Sequence, residues 1–123
     1  MRVPAEVVDR VLDEVRPALP AGIRVTRVGL HGVSVETDDH QVFGFVQSPW
    51  PLPPGPKKAR IKSALVDFIG SLRDAVGKSV GREWPGPGCV TSVVVSRERA
   101  SIRLTSDGEH VSIELPLALW RLA

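Results

Sequence analysis

The sequence predicts an α+β fold: an antiparallel sheet of about six strands with two helices packed on one face, in the order α-β-β-β-α-β-β-β plus a short C-terminal tail. Three observations carry this expectation. From Lys57 to Gly77 apolar residues recur at steps of three and four, the period of a helix with one buried stripe. Before and after that stretch the period falls to two, which marks strands. An Asp-Gly pair at 107–108 joins two of the alternating segments, and Asp-Gly is a strong signal for a tight hairpin.

The first element covers residues 4–16, PAEVVDRVLDEVR, where Val7, Val8, Val11, Leu12 and Val15 form a helical stripe. Pro4 fits a first turn and Glu6 suits the positive helix N-terminus. Pro17 and Pro20-Ala21-Gly22 end the helix. Ile23 and Val25 then alternate with Arg24 and Thr26 as a strand, Gly29 and Gly32 mark a turn, and Val33 and Val35 alternate with Ser34 and Glu36. QVFGFVQ follows Asp38-Asp39-His40 as a third strand. A two-residue loop there would set Val35 opposite Val42 and leave Phe43 and Phe45 facing out. A three-residue loop, 38–40, sets Val35 opposite Phe43 and Val33 opposite Phe45. A one-residue slip exchanges the faces, and only the second register buries both aromatics. It requires a left-handed residue near His40.

Residues 48–56, SPWPLPPGP, hold five prolines and cannot form a central strand or a helix interior. They predict a stiff crossover with polyproline II character. In the helix that follows, Ile61, Ala64, Leu65, Phe68, Ile69, Leu72, Ala75 and Val76 form the buried stripe. KSVGREWPGPG predicts a second turn-rich connection. Cys89 to Ser96 reads as a β-branched strand, and Ser101 to Thr105 and Glu109 to Leu115 as a hairpin. A two-residue turn pairs Leu104 with Val111 and Ile102 with Ile113, all apolar. Arg103 with Ser112 and Thr105 with His110 then share the polar face, so turn chemistry and pattern agree. Pro116 breaks the strand and LALWRLA ends the chain. SVETDDHQV resembles SIRLTSDGEHV, so residues 1–47 and 57–115 form a possible loose internal repeat. The element order resembles that of type III secretion chaperones, with a helix, three strands, a helix and more strands. That resemblance is one of order alone and brings no residue or activity with it.

Composition narrows the function classes. The 123 residues suit a single domain, 1–123, and need no disulfide or metal to fold. Hydrophobic content of 42% and charged content of 24% are ordinary for a globular protein. No apolar run approaches the ~20 residues of a membrane span. The N-terminal MRVPAEVVDRVLDEV mixes acids with apolar residues and lacks the apolar core of a signal peptide. One cysteine, Cys89, cannot make an internal bridge. These features predict a cytoplasmic protein. Twelve Arg against four Lys, with no Asn and no Tyr, suit a GC-rich bacterial genome. A net charge of +2 with interspersed signs is weak support for nucleic acid.

No catalytic spacing is present. Lys57, Lys58, Arg60 and Lys62 crowd the start of the central helix, the end where cations are unfavourable unless an anion or acidic partner binds. No glycine-rich phosphate loop precedes them, and a solvated charge run explains them as well. Trp50 and Trp84 each precede a proline and read as plugs under long loops, or as platforms for a peptide or base. His31, His40 and His110 match no metal motif. Polar turn chemistry accounts for the Asp38-Asp39-His40 and Asp107–His110 clusters. Cys89 follows Pro-Gly at a strand start and reads as a packed thiol. Arg97, Arg99 and Arg103 form a candidate basic rim, without the aromatic strand motif of RNA binders. In the tail, Leu117, Leu119, Trp120 and Leu122 are too apolar to stay in water. Burial of each large side chain contributes about 1.5–3 kcal/mol, so they close the chain's own core or cover a partner. The sequence therefore favours a small non-enzymatic binding or adaptor domain, acting through a sheet face, the tail or the basic helix start. A protein partner or self-association is expected, and no metal or cofactor. The alternative is a small ligand-binding protein or enzyme with a pocket between sheet and helices.

Overall fold

The computed structural model describes residues 3–30, 32–46 and 57–120, the side chain of Val46 excepted. The expected proline-rich crossover, Trp50, His31 and Leu122 lie outside these residues. Helix α1 (Ala5–Val15) leads through a 3-10 turn (Arg16–Ala18) into strands β1 (Ile23–Val28), β2 (Gly32–Thr37) and β3 (Val42–Val46). Helix α2 (Lys57–Val80) is followed by β4 (Val90–Val95), β5 (Arg99–Ser106) and β6 (Glu109–Pro116), and a 3-10 turn (Leu117–Trp120) follows β6. The α+β class and the element order are those the sequence predicts.

One feature of the predicted architecture is corrected. The strands form two antiparallel sheets of three, β1-β2-β3 and β4-β5-β6, rather than one sheet of about six. The helices span both sheets: α1 packs on β1 and β6, and α2 packs on β2, β3 and β4. Each helix thus lies against the first strand of the sheet that follows it and the last strand of the other sheet. A period-two pattern specifies which face of a strand is buried, but says nothing about which sheet the strand joins.

Within each sheet the registers are the expected ones. Val35 faces Phe43 and Val33 faces Phe45, and the left-handed residue is His40, with φ 64°. In the second sheet Leu104 faces Val111, Ile102 faces Ile113, Arg103 faces Ser112 and Thr105 faces His110. The inward rows Val25–Val35–Phe43 and Val93–Ile102–Ile113 meet the helices. The α1 stripe and all eight apolar residues of the α2 stripe are buried with them in one core. Phe45 stacks against Phe68 of α2 at 5.8 Å between ring centroids.

The α2 helix runs three residues past the predicted Gly77 and is about 36 Å long by its 24 residues. It stops at Gly81, whose φ of 69° only glycine adopts cheaply. The Arg82 amide then donates to the Gly77 carbonyl at 3.1 Å, closing the last turn as a Schellman motif. Lys78 and Ser79 are polar and Gly77 looks like a stop, so the sequence pattern ends one turn early. The start of α1 uses Pro4, whose carbonyl accepts from the Val8 amide at 3.0 Å.

Candidate functional site

The basic residues at the start of α2 do not converge. Residues four apart share a helix flank, and residues two apart fall on opposite sides. Lys58 and Lys62 therefore occupy one flank and Lys57 and Arg60 another. Lys57, Lys58 and Lys62 are exposed, and Arg60 is half-buried. Among the described residues its Nε is buried with no hydrogen-bond partner.

The tail turns inward as far as it is described. Trp120 is 3% exposed and belongs to the core, and Leu117 and Leu119 pack partly buried against it. The Leu117 amide donates to the Glu98 carbonyl at 2.9 Å, fixing this turn to the β4–β5 hairpin.

Trp84 is 4% exposed, and its Nε1 donates to the Ala18 carbonyl at 3.1 Å, across 66 residues of chain. It is a plug rather than a platform. Beside it Arg73, on the flank of α2, clamps the loop between α2 and β4. Its guanidinium donates to the Trp84 carbonyl at 3.3 Å, to Thr91 Oγ1 at 2.7 Å and to the Cys89 carbonyl at 3.1 Å. Nothing local in the sequence marks Arg73 for this role; it reads as one more exposed base of an amphipathic helix.

A groove of about 530 Å³ runs along the same end of α2 beside the Trp84 loop. Its charged residues are largely engaged. Lys78 Nζ pairs with Asp74 Oδ2 at 3.0 Å, Glu83 accepts from the Gly88 amide at 2.9 Å, and Arg73 serves the loop. A smaller groove of about 230 Å³ lies between Phe43–Phe45 of β3 and Ser71, Asp74, Ala75 and Lys78 of α2.

The polar clusters behave as turns. His40 is exposed at 3.3 Å from Glu36 Oε1. Asp39 accepts from the Thr37 hydroxyl within the same turn. That hydrogen bond, more than the opposing effect of burial, holds the Asp39 carboxyl below its usual range, with the turn amides and His40 adding to it. Among the described residues no group of three or more His, Cys, Asp or Glu is placed to hold a metal ion. Cys89 is half-buried with its Sγ 3.9 Å from the Val90 carbonyl. Arg97, Arg99 and Arg103 are exposed. Arg97 lies in the β4–β5 turn, and Arg99 and Arg103 sit on β5. No described helix is long and apolar enough to cross a membrane.

The outer faces of both sheets are open; the first exposes Val28 and Val42 on separate strands, and the second exposes two valines on one strand. The rows of the second face are Val90–Thr105–His110, Ser92–Arg103–Ser112 and Val94–Ser101–Glu114. Both helices lie on the opposite face, and every residue of these rows except half-buried Ser101 is exposed. Val90 and Val94 stand 63% and 61% exposed on β4. Around them are hydroxyls, the cations Arg99 and Arg103, and a Ser101–Glu114 hydrogen bond of 2.6 Å. A β-branched apolar pair beside hydroxyls suits contact with another polypeptide. No known protein family, curated protein or solved structure matches this chain.

Proposed function

We propose that this chain is a small non-enzymatic binding domain that engages a protein through the outer face of the β4-β5-β6 sheet. It acts in the cytoplasm of a bacterium with a GC-rich genome. The observation that carries the reading is the pair Val90 and Val94, held in water on a face that the core does not need. A contiguous exposed apolar patch marks a contact surface, whereas apolar residues scattered singly are ordinary; Val90 and Val94 share one face of one strand. Of the three surfaces considered from the sequence, the tail is spent on the core through Trp120, and the basic helix start is split between two flanks. On the sheet face Val90 and Val94 lie on the same side of one strand. The exchange of helix contacts between the two α-β-β-β halves supports reading them as a loose internal repeat.

A direct test compares wild-type protein with a Val90→Lys/Val94→Lys variant. Both residues are exposed, so the variant should keep its circular-dichroism spectrum and melting temperature. Partners retained from a native extract by wild type and lost by the variant would support the reading. Identical retained sets would reject this face.

A further inference from the structure

We infer that the outer face of the β4-β5-β6 sheet takes an extended, acidic segment of a partner protein, one whose facing side chains alternate between apolar and carboxylate. The inference rests on the binding-domain reading and names the chemistry of the partner at the same face.

The order of groups along the face carries it. Val94 stands opposite Ser101, and Ser92 stands opposite Arg103. The Ser96 amide donates to the Arg99 carbonyl at 2.9 Å, so the ladder continues and sets Ser96 opposite Arg99. Along the strand axis the exposed valines and arginines of β4 and β5 therefore run Val90, Arg103, Val94, Arg99, each displaced from the last by two residues. Strand residues rise about 3.4 Å each, so each step is about 7 Å, and the two strands lie ~4.8 Å apart. An extended chain repeats the side chains of one face with the same period. A single extended segment lying over the two strands meets apolar, cationic, apolar and cationic positions in turn. Its complement is apolar, acidic, apolar and acidic.

The cations of this face are uncommitted. Arg99 and Arg103 are exposed and form no ion pair with any described residue. Glu114, the carboxylate of these rows, stands opposite Ser101 and diagonal to both arginines, and it accepts from the Ser101 hydroxyl at 2.6 Å. The first sheet is the contrast. Arg24 of its outer face is matched by Glu36 at 3.4 Å, so that face is neutralised from within. Arg97, exposed in the turn before Arg99, extends the cationic run, with Glu98 between them. Arginine grips a carboxylate through two parallel N–H···O bonds. The rows hold no Phe, Trp or Tyr, the platforms on which single-stranded nucleic acid stacks its bases. The acidic partner is therefore a polypeptide.

An NMR titration of the isotope-labelled full chain with synthetic probes tests this. The first probe is a peptide repeating Val-Ser-Glu-Ser, which when extended presents valine and glutamate alternately on one face. The second has Lys for every Glu, and the third is an oligothymidylate of equal length. The Glu peptide should saturate amide shifts centred on Val90, Ser92, Val94, Arg99 and Arg103, and should bind at least about tenfold more tightly than either control. Arg99→Glu/Arg103→Glu, at two exposed positions, should reverse the order of the two peptides. Arg99→Gln/Arg103→Gln should bring their affinities together with the fold unchanged. No saturable binding of the Glu peptide, equal binding of the Glu and Lys peptides, shifts centred on the start of α2, or tighter binding of the oligothymidylate would each overturn the inference. If the Val90→Lys/Val94→Lys variant then still loses partners from the extract, the face remains a binding surface and only its preference for acids is wrong, so the two readings fail separately.

Discussion

Arg73→Met should destabilise the protein by about 3 kcal/mol. The side chain sits half-buried on the flank of α2 and makes three hydrogen bonds, to the Trp84 carbonyl, Thr91 Oγ1 and the Cys89 carbonyl. A fully buried bond to a charged donor contributes ~1.5–3 kcal/mol, and about 1 kcal/mol is a fair share for each at this exposure. Methionine retains most of the aliphatic stem, so packing changes little. Thr91→Val removes one of the three bonds and should cost about 1 kcal/mol. The double variant should cost little more than Arg73→Met alone, because both changes remove the same bond. Urea denaturation followed by circular dichroism reads all four proteins. For a domain of this size the Arg73→Met change corresponds to a fall of roughly 12 °C in melting temperature. A loss under 0.5 kcal/mol, or strict additivity of the two substitutions, would refute the clamp.

Four further outcomes follow from the geometry. Gly70 sits on the exposed side of α2 with open space where a Cβ would go, so Gly70→Ala should stabilise by about 0.5–1 kcal/mol in the same denaturation assay. Gly77→Ala should destabilise, because its Cβ would stand 2.9 Å from the carbonyl oxygen of Arg82, the residue whose amide closes the helix. His40→Gly should raise stability by about 0.5–1 kcal/mol, since a φ of 64° is strained for histidine and its exposed pair with Glu36 offsets little. The Asp39 carboxyl is held below its usual range in the folded protein. Its contribution is therefore present above the ordinary aspartate pKa of about 3.9 and is lost as pH falls through the folded value. A carbon-detected NMR titration should place its midpoint below 3.9, and Thr37→Val, which removes the largest cause, should move it upward.

Most of the fold was legible because its elements are specified locally. The three-residue loop at 38–40 and the Asp-Gly turn each agreed with the alternation on both sides. A slip in either would have moved phenylalanines or leucines from the core to water, so the pattern admitted one register. The candidate site was less legible. Val90 and Val94 look like any β-branched strand residues in the sequence. Their exposure follows from the inward choice of Thr91, Val93 and Val95, which depends on where α2 lies. The basic start of α2 is the reverse case: a local cluster in sequence that helix geometry divides.

The sequence by itself determined the α+β class, the order of elements, the buried stripe of each helix and the pairing within each hairpin. These rest on periods of 3.6 and 2 and on turn residues, which are properties of a few neighbouring positions. The tertiary structure decided that the strands divide into two sheets and that α1 reaches β6 as well as β1. It also decided that Arg73 clamps the loop before β4, and that Trp84 bonds to Ala18 across 66 residues. Such contacts arise from how whole apolar faces are covered, and a packed core can satisfy the same local pattern with more than one arrangement of sheets until every face is assigned.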